Sequence, residues 1–174
     1  MKMKPRLDML VPAVMLAATL VAGAGCNTSG CTDNRSSLLL AGFYSSSTLK
    51  IIAIDSLEMG GVGAPGDSLL IDLDSRPNEV YMPLRSQYTT TSFFFHYASV
   101  ALRDPANNDT ITLDYTSEPY FASEECGAMY RYHVKRLEYT RHLIDSIAMP
   151  DSLIDNANVQ RMKILFRTAE PSQP

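Results

Sequence analysis

The chain has 174 residues, with 15 Lys and Arg against 19 Asp and Glu, and a net charge of −4. This acidic balance, without a basic stripe, argues against nucleic acid and against anionic lipid headgroups as electrostatic partners. Hydrophobic residues make up 45% of the chain, which is enough for the core of one domain of ordinary size.

The first 26 residues have the pattern of an export signal. Three basic residues within the first six precede an apolar run that ends in the letters GAGC at positions 23–26. The run is short for a membrane span and contains Pro12, which disfavours a permanent transmembrane helix. The pattern resembles a bacterial lipoprotein signal peptide over residues 1–25, although Gly23 stands where Leu is usual. The alternative is ordinary secretion with cleavage after Ala24.

The lipoprotein interpretation gives Cys26 a specific role. Cys26 becomes the first residue of the mature protein and carries the acyl chains that attach the protein to the membrane. Asn27 follows it, so the Asp that retains lipoproteins in the inner membrane of enteric bacteria is missing. We therefore expect an outer-membrane lipoprotein, with the periplasmic face and the surface face both left open.

Cys31 and Cys126 are the two cysteines that remain after lipidation of Cys26. The chain has three cysteines, and an exported protein is expected to pair the two that carry no lipid. A bridge between them closes a loop of about 95 residues and stabilises the fold by on the order of 4–5 kcal/mol in the entropic model. The alternative is two unpaired thiols.

The mature chain divides into a tether, a body and a tail. Residues 26–37 are polar and rich in Ser, Thr and Asn, which is typical of a tether. Residues 38–168 alternate between strand patterns and turn residues, and the polar residues 169–174 are expected to be disordered. We predict strands at Leu38–Tyr44, Lys50–Ile54, Leu69–Asp72, Val80–Leu84, Phe93–Tyr97, Thr110–Tyr115, Tyr130–Tyr139 and Met162–Phe166, with a weaker one at Ile144–Met149.

Several residues refine this pattern. Pro83 favours an edge position for its strand, and a change of alternation near Lys135 and Arg136 predicts a β-bulge or a bend in a long strand. Residues 60–66 are predicted as a glycine-rich turn, and residues 151–160 as one or two turns of helix. The body is therefore predicted to be all-β, an antiparallel β-sandwich of the immunoglobulin-like or a related kind.

Five segments of the body carry a family resemblance. They are AGFY at positions 41–44, VGAPGDS at 62–68, MPLR at 82–85, the block at 120–132 around SEECG, and LFR at 165–167. Together they resemble an uncharacterised family of small Bacteroidetes lipoproteins, over most of the mature chain. The resemblance supports the anchor and the two-cysteine framework, and it implies no activity.

Ser68 lies in a motif of hydrolytic enzymes. The letters GDSL at positions 66–69 spell the nucleophile block of a lipase and esterase family. Such a serine needs a base, which that family supplies from an Asp-x-x-His pair near the C-terminus. His133 and His142 each have Tyr instead of Asp at that spacing. We therefore expect no catalytic residues and no enzyme activity.

The same letters belong to a recurring triplet of Asp, Ser or Thr, and an aliphatic residue. This triplet resembles the O-glycosylation acceptor motif of exported Bacteroidetes proteins. The alternative is that Asp-Ser and Asp-Thr are simply favoured where a turn leads into a strand. The candidate acceptors are Ser56, Ser68, Thr110, Ser146 and Ser152.

No metal or cofactor site is predicted. Asp72 and Asp74 offer oxygen ligands of the kind that calcium takes, but the EF-hand spacing is absent, and a solvated acidic turn is the expected alternative. The three histidines have no His-x-His or His-x-x-x-His spacing, which disfavours zinc.

Exposed aromatic side chains provide one further binding hypothesis. Tyr88, Tyr120 and Phe121 could form a platform on which sugar rings stack. Packing inside the fold is the alternative for strand tyrosines. Taken together, the sequence predicts a lipid-anchored, non-enzymatic module of the cell envelope that contacts another envelope protein. A glycan- or small-ligand-binding module is the second hypothesis.

Overall fold

The computed structural model describes residue 34 and residues 36–168, which form ten strands and no α-helix. The strands are β1 (Leu39–Ser45), β2 (Leu57–Gly61), β3 (Leu69–Ile71), β4 (Glu79–Met82), β5 (Thr90–Tyr97), β6 (Asp109–Ser123), β7 (Gly127–Tyr139), β8 (Ile144–Ala148), β9 (Leu153–Ile154) and β10 (Gln160–Phe166). The signal peptide, Cys26, Cys31 and the tail at 169–174 lie outside the described residues. Within that part of the chain, no helix has the length and apolar character needed to cross a membrane.

Two sheets pack against each other around one core. One has four strands in the order β4-β1-β10-β8, and the other has six in the order β3-β2-β5-β6-β7-β9. Phe166 of the first sheet has its ring centroid 5.5 Å from that of Phe43 in the same sheet and 6.4 Å from that of Phe95 in the second. All three side chains are buried. The predicted all-β sandwich is therefore confirmed.

One strand pair differs from the antiparallel expectation. β1 and β10 lie side by side and run parallel, with Phe43 opposite Ile164. A parallel pair needs a long connection, whereas an antiparallel pair needs only a hairpin. The chain between β1 and β10 includes nearly the whole body, so no local sequence pattern predicts that these two strands pair.

The predicted irregularity in the seventh strand is confirmed as a bulge. Asp114 pairs with Arg136, and the next residue, Tyr115, pairs with Val134. Lys135 is therefore the extra residue, which reverses the alternation of side chains along β7. Pro83 also agrees with its prediction, since it directly follows β4, an edge strand of its sheet.

Gly60 and Gly61 correct the predicted turn at residues 60–66. Both glycines are the last residues of β2, and Gly60 pairs with Phe94 of β5. A Cβ atom on Gly60 would lie 2.9 Å from the Phe94 ring, which is closer than packed atoms approach. Gly60 thus allows the Phe94 ring of β5 to pack closely against the β2 backbone, which is a known reason for a glycine within a strand.

Two other predictions of local structure are wrong. Residues 50–54 form no strand and make only a single bridge, from Ile51 to Tyr44. Residues 151–160 contain β9 and a loop instead of a helical turn. In both segments tertiary contacts decide a conformation for which the local signal was weak.

The body extends into the segment predicted as a tether. Asn34 and Ser37 are buried, and the Asn34 N–H donates a hydrogen bond of 2.9 Å to the Asn156 carbonyl oxygen. The Asn34 side chain also bonds to the backbone N–H and carbonyl of Leu38. These contacts attach the chain to the loop after β9 before β1 begins.

Candidate functional site

A cavity of about 240 Å³ lies where the edges of the two sheets meet. Leu70 in β3 lines it from the edge of the six-stranded sheet, and Pro83, which follows β4, lines it from the edge of the other sheet. Its apolar walls are Val62, Ala64, Pro65, Leu70, Pro83 and Phe93. We call this space the edge cavity.

The polar lining of the edge cavity is small and specific. Ser68 and Thr91 contribute hydroxyl groups, and Arg85 contributes the charge. No histidine and no carboxylate belongs to the lining among the described residues. The cavity therefore combines apolar walls with one positive charge, a composition typical of binding pockets.

The irregular segment that carries Arg85 is held by hydrogen bonds to three consecutive carbonyl oxygens, those of residues 84–86. The Tyr132 hydroxyl donates to the first at 3.1 Å, the Tyr115 hydroxyl to the second at 3.1 Å, and the Ser117 hydroxyl to the third at 2.8 Å. All three donors belong to β6 or β7. Side chains thus take the place of a neighbouring strand and hold residues 84–86 in one position.

Tyr115 bonds to two polar residues of the cavity lining, Arg85 and Thr91. Its hydroxyl oxygen accepts hydrogen bonds from the Arg85 N–H at 3.1 Å and from the Thr91 hydroxyl at 2.8 Å. The Tyr115 side chain is buried, and its ring packs edge-on against that of Tyr132 at 5.5 Å. The polar lining is therefore positioned by the core of the sandwich.

The Arg85 side chain keeps its charge available. Its guanidinium carbon lies 4.2 Å from the centroid of the Tyr88 ring, in a cation–π contact. Arg85 forms no salt bridge with any residue that the structure describes. A positive charge beside apolar walls that has no salt-bridge partner in the described part of the chain favours a ligand that carries an anion.

A family model matches residues 48–166, which include the edge cavity. The chain belongs to the Family of unknown function (DUF6452). No curated protein and no solved structure matches the chain. Within the DUF6452 region lie nine of the ten strands, from β2 to β10, whereas β1 precedes the matched residues.

The three residues of the predicted aromatic platform differ in their exposure and contacts in this DUF6452 chain. Tyr88 is half-exposed beside the edge cavity and is covered on one face by Arg85. Tyr120 is partly buried, and its hydroxyl donates to the Asn156 side chain at 2.9 Å. Phe121 is 68% exposed near the end of β6. No ring contact joins Tyr88 to the other two among the described residues, so their common role stays a prediction.

Ser68 lies on the edge cavity without the partners of a nucleophile. Its side chain is exposed, and it makes no hydrogen bond to a histidine or a carboxylate within the described part of the chain. Its backbone carbonyl instead lies close to Gly60 of β2. The surroundings of Ser68 thus offer a hydroxyl to a ligand and no base to activate it.

The five candidate glycosylation sites differ in exposure. Ser68 and Ser152 are exposed, whereas Ser56, Thr110 and Ser146 are partly buried. Thr110 lies in β6 with its backbone N–H bonded to the Thr140 hydroxyl. Accessibility therefore ranks Ser68 and Ser152 first, and modification of any site stays a prediction.

Cys126 lies in the tight connection between β6 and β7. Its side chain is half-buried and is not a free thiol. Its N–H donates to the Ser123 hydroxyl at 3.0 Å, and the Asn156 amide lies 3.9 Å from its sulfur. Cys31 lies outside the described residues, so the pairing of the two cysteines stays a prediction.

Asp109 is a buried polar residue whose structural role the sequence did not predict. Its side chain is 1% exposed. It accepts hydrogen bonds from the Thr140 hydroxyl at 2.7 Å, from the Tyr97 hydroxyl at 3.1 Å, and from the backbone N–H groups of His142 (2.9 Å), Leu143 (2.8 Å) and Ile144 (2.9 Å). A carboxylate with five donors closes the turn between β7 and β8. Burial, together with the Asp109 charge, raises the pKa of Tyr97 far above its ordinary value.

Glu118 forms a charged cluster on the β6–β7 ribbon. Its carboxylate lies 2.5 Å from Arg131 and 3.2 Å from His133. The hydrogen bond from Arg131, and then that from His133, lowers the pKa of Glu118. The Arg131 guanidinium also lies 5.4 Å from the Tyr120 ring centroid.

Within residue 34 and residues 36–168, no group of three or more His, Cys, Asp and Glu side chains could hold a metal ion. Asp72 and Asp74 are both exposed, and the Asp72 carbonyl closes a turn by accepting from Ser75.

Proposed function

We propose that this chain is an outer-membrane lipoprotein whose body binds another protein of the cell envelope at the edge cavity and catalyses no reaction of its own. The observation that carries the binding proposal is the charge of Arg85, a residue whose backbone Tyr115 holds beside apolar walls. The anchor rests on the sequence pattern before Cys26.

The proposed attachment uses Cys26 and a Cys31–Cys126 bridge. Only five positions separate Cys26 from Cys31, which is at most about 18 Å of extended chain. The bridge would hold the acylated end close to the β6–β7 connection, which contains Cys126. The body would then stand close to the membrane with this end of the ribbon nearest to it.

The surface around the edge cavity favours a protein over a small ligand or a glycan. Its volume of about 240 Å³ is below the usual range of small-molecule pockets, which begins at about 300 Å³. Val62 in its wall is 52% exposed, Leu70 is 37% exposed, and the neighbouring Leu69 is 42% exposed. A ligand confined to the cavity would leave these side chains in water, whereas a protein partner would cover them.

The attachment is tested by the intact mass of the protein purified from its native membrane. We expect residues 26–174 plus acyl chains, with a mass increase of two hydrogen atoms on reduction that shows the bridge. Treatment that removes glycans would report on Ser68 and Ser152 in the same measurement. A mass that begins at Gly25 without lipid would contradict the anchor.

Binding at the edge cavity is tested by a photo-crosslinking residue in place of Val62. Val100 is the matched control, because it is also a valine and is 82% exposed in the loop after β5. In native membranes we expect one adduct of defined mass from position 62, none of that mass from position 100, and its loss when Ala64→Leu fills the cavity. The same adduct from both positions would contradict a partner at the cavity.

A further inference from the structure

The edge cavity combines two features that together specify a ligand. Its walls are apolar, and Arg85, a cationic residue, belongs to the lining of the same space of about 240 Å³. A volume of this size holds roughly one or two side chains, since a water molecule in the liquid occupies about 30 Å³. An occupant must therefore carry an apolar group and an anion very close to each other.

The separation of groups along a polypeptide limits which residues meet this demand. In an extended segment, neighbouring side chains point to opposite faces. Residues two apart share a face but lie about 6.6 Å from each other along the strand. An apolar residue at a free C-terminus carries its side chain and a carboxylate on the same Cα atom.

We propose that the edge cavity captures the C-terminal residue of a partner protein, with the terminal carboxylate on Arg85 and an apolar side chain against Val62, Leu70 and Phe93. This inference deepens the proposed function, because it names the part of the partner that the cavity holds. Charge complementarity supports it: Arg85 has no carboxylate partner among the described residues, and its planar guanidinium can bind a carboxylate through two hydrogen bonds.

The surroundings of Arg85 supply the rigidity that such capture needs. Its backbone N–H and carbonyl both bond to the buried Tyr115 hydroxyl. The contact of its guanidinium with the Tyr88 ring restricts the side chain further. A preorganised cation loses little conformational entropy on binding. The hydroxyl group of Ser68 in the lining can donate a further hydrogen bond to the carboxylate.

The test is an NMR titration of the full chain in detergent with the peptide acetyl-Gly-Ser-Gly-Leu. The free acid is compared with its C-terminal amide and with a peptide that ends in Ser. We expect the acid to bind at least 10-fold more tightly than the amide, because a charge-assisted hydrogen bond accounts for roughly 10- to 100-fold in affinity. Replacement of Leu by Ser should weaken binding by a similar factor.

Variants assign the effect to Arg85. Arg85→Gln should remove the preference for the acid, and Arg85→Lys should restore part of it because the charge is kept. Arg103→Gln is the matched control, because Arg103 is exposed in the loop after β5 and forms no salt bridge with a described residue. Unchanged thermal unfolding of each variant would show that the fold is intact.

Three outcomes would overturn the inference. Equal affinity for acid and amide would show that the cavity recognises no carboxylate. An unchanged preference in Arg85→Gln would show that another cation is used. Binding of free acetyl-leucine as tightly as the peptide would indicate a small carboxylate as the natural occupant. The crosslinked adduct at position 62 is measured separately. The proposal that a protein partner binds at the cavity therefore remains testable when either of the first two results excludes recognition of its C-terminal carboxylate.

Discussion

Asp109 and Arg85 are two charged residues that the same strand, β6, places in opposite situations. Asp109 begins β6, is 1% exposed, and accepts five hydrogen bonds from the fold. Arg85 is held through its backbone by Tyr115, six residues further along β6, while its side chain has no ionic partner in the described residues. The Asp109 carboxylate is fully hydrogen-bonded within the fold, whereas the Arg85 guanidinium is available to a ligand.

The difference separates a structural charge from a binding charge. A buried carboxylate is tolerated only when donors replace the water that it has lost. A half-exposed guanidinium is still hydrated, so leaving it unpaired costs little until a ligand arrives. The hydrogen bonds of Arg85 are made by its backbone, so its side chain can change without loss of the segment that carries it.

Asp109→Asn should give the largest loss of stability. The amide is neutral and turns an NH₂ group toward backbone donors, so we expect a loss of about 2–4 kcal/mol in the free energy of unfolding. Denaturant unfolding measures it. Asp114→Asn in the same strand is the control, because among the described residues Asp114 accepts one side-chain hydrogen bond, from Thr90 at 2.7 Å. Equal losses would show that the five donors of Asp109 add nothing.

Tyr115→Phe should have an intermediate effect. It removes the hydroxyl shared by Arg85 and Thr91, and we expect a loss of about 1–2 kcal/mol in stability. Hydrogen exchange at the Arg85 amide should accelerate, since that N–H loses its acceptor. Tyr132→Phe removes only the bond to the Leu84 carbonyl and should leave the Arg85 amide protected. Acceleration in both variants would contradict the separate role of Tyr115.

Glu118 should show a smaller, pH-dependent effect. Arg131 and His133 lower the pKa of this carboxyl below its ordinary value of 4.5. Its contribution to stability is therefore present above the unfolded pKa and is lost as the pH falls through the folded pKa. A carbon-detected NMR titration of Glu118 checks the direction, and Arg131→Ala should move the pKa back upward. No movement in that variant would assign the shift to His133.

Phe121→Ser should have the smallest effect. The ring is 68% exposed, so we expect a change within about 0.5 kcal/mol in stability. Binding at the edge cavity should not change, because Phe121 does not line it. Loss of partner binding in this variant would indicate that the partner binds at the end of the β6–β7 ribbon, and it would support the aromatic platform.

Alternation predicted the strands well where one face of a strand is buried. The pattern of β6 and the bulge at Lys135 follow from side chains that alternate between core and solvent. Gly60 was misread because glycine favours turns locally, and only the Phe94 ring across the pair makes it necessary in β2. The pairing of β1 with β10 joins opposite ends of the body, so no window of sequence contains it.

By itself the sequence determined the all-β sandwich and the edge position of β4 beside Pro83, and it predicts an export signal that ends before Cys26. These depend on periodicity, on proline geometry and on short motifs, all of which act over a few residues. Tertiary structure alone decided that Asp109 is a buried acceptor, and that Arg85 lies on an apolar cavity behind Tyr115. The chemistry of a charged side chain depends on its donors and neighbours, and here most of those come from residues more than 20 positions away.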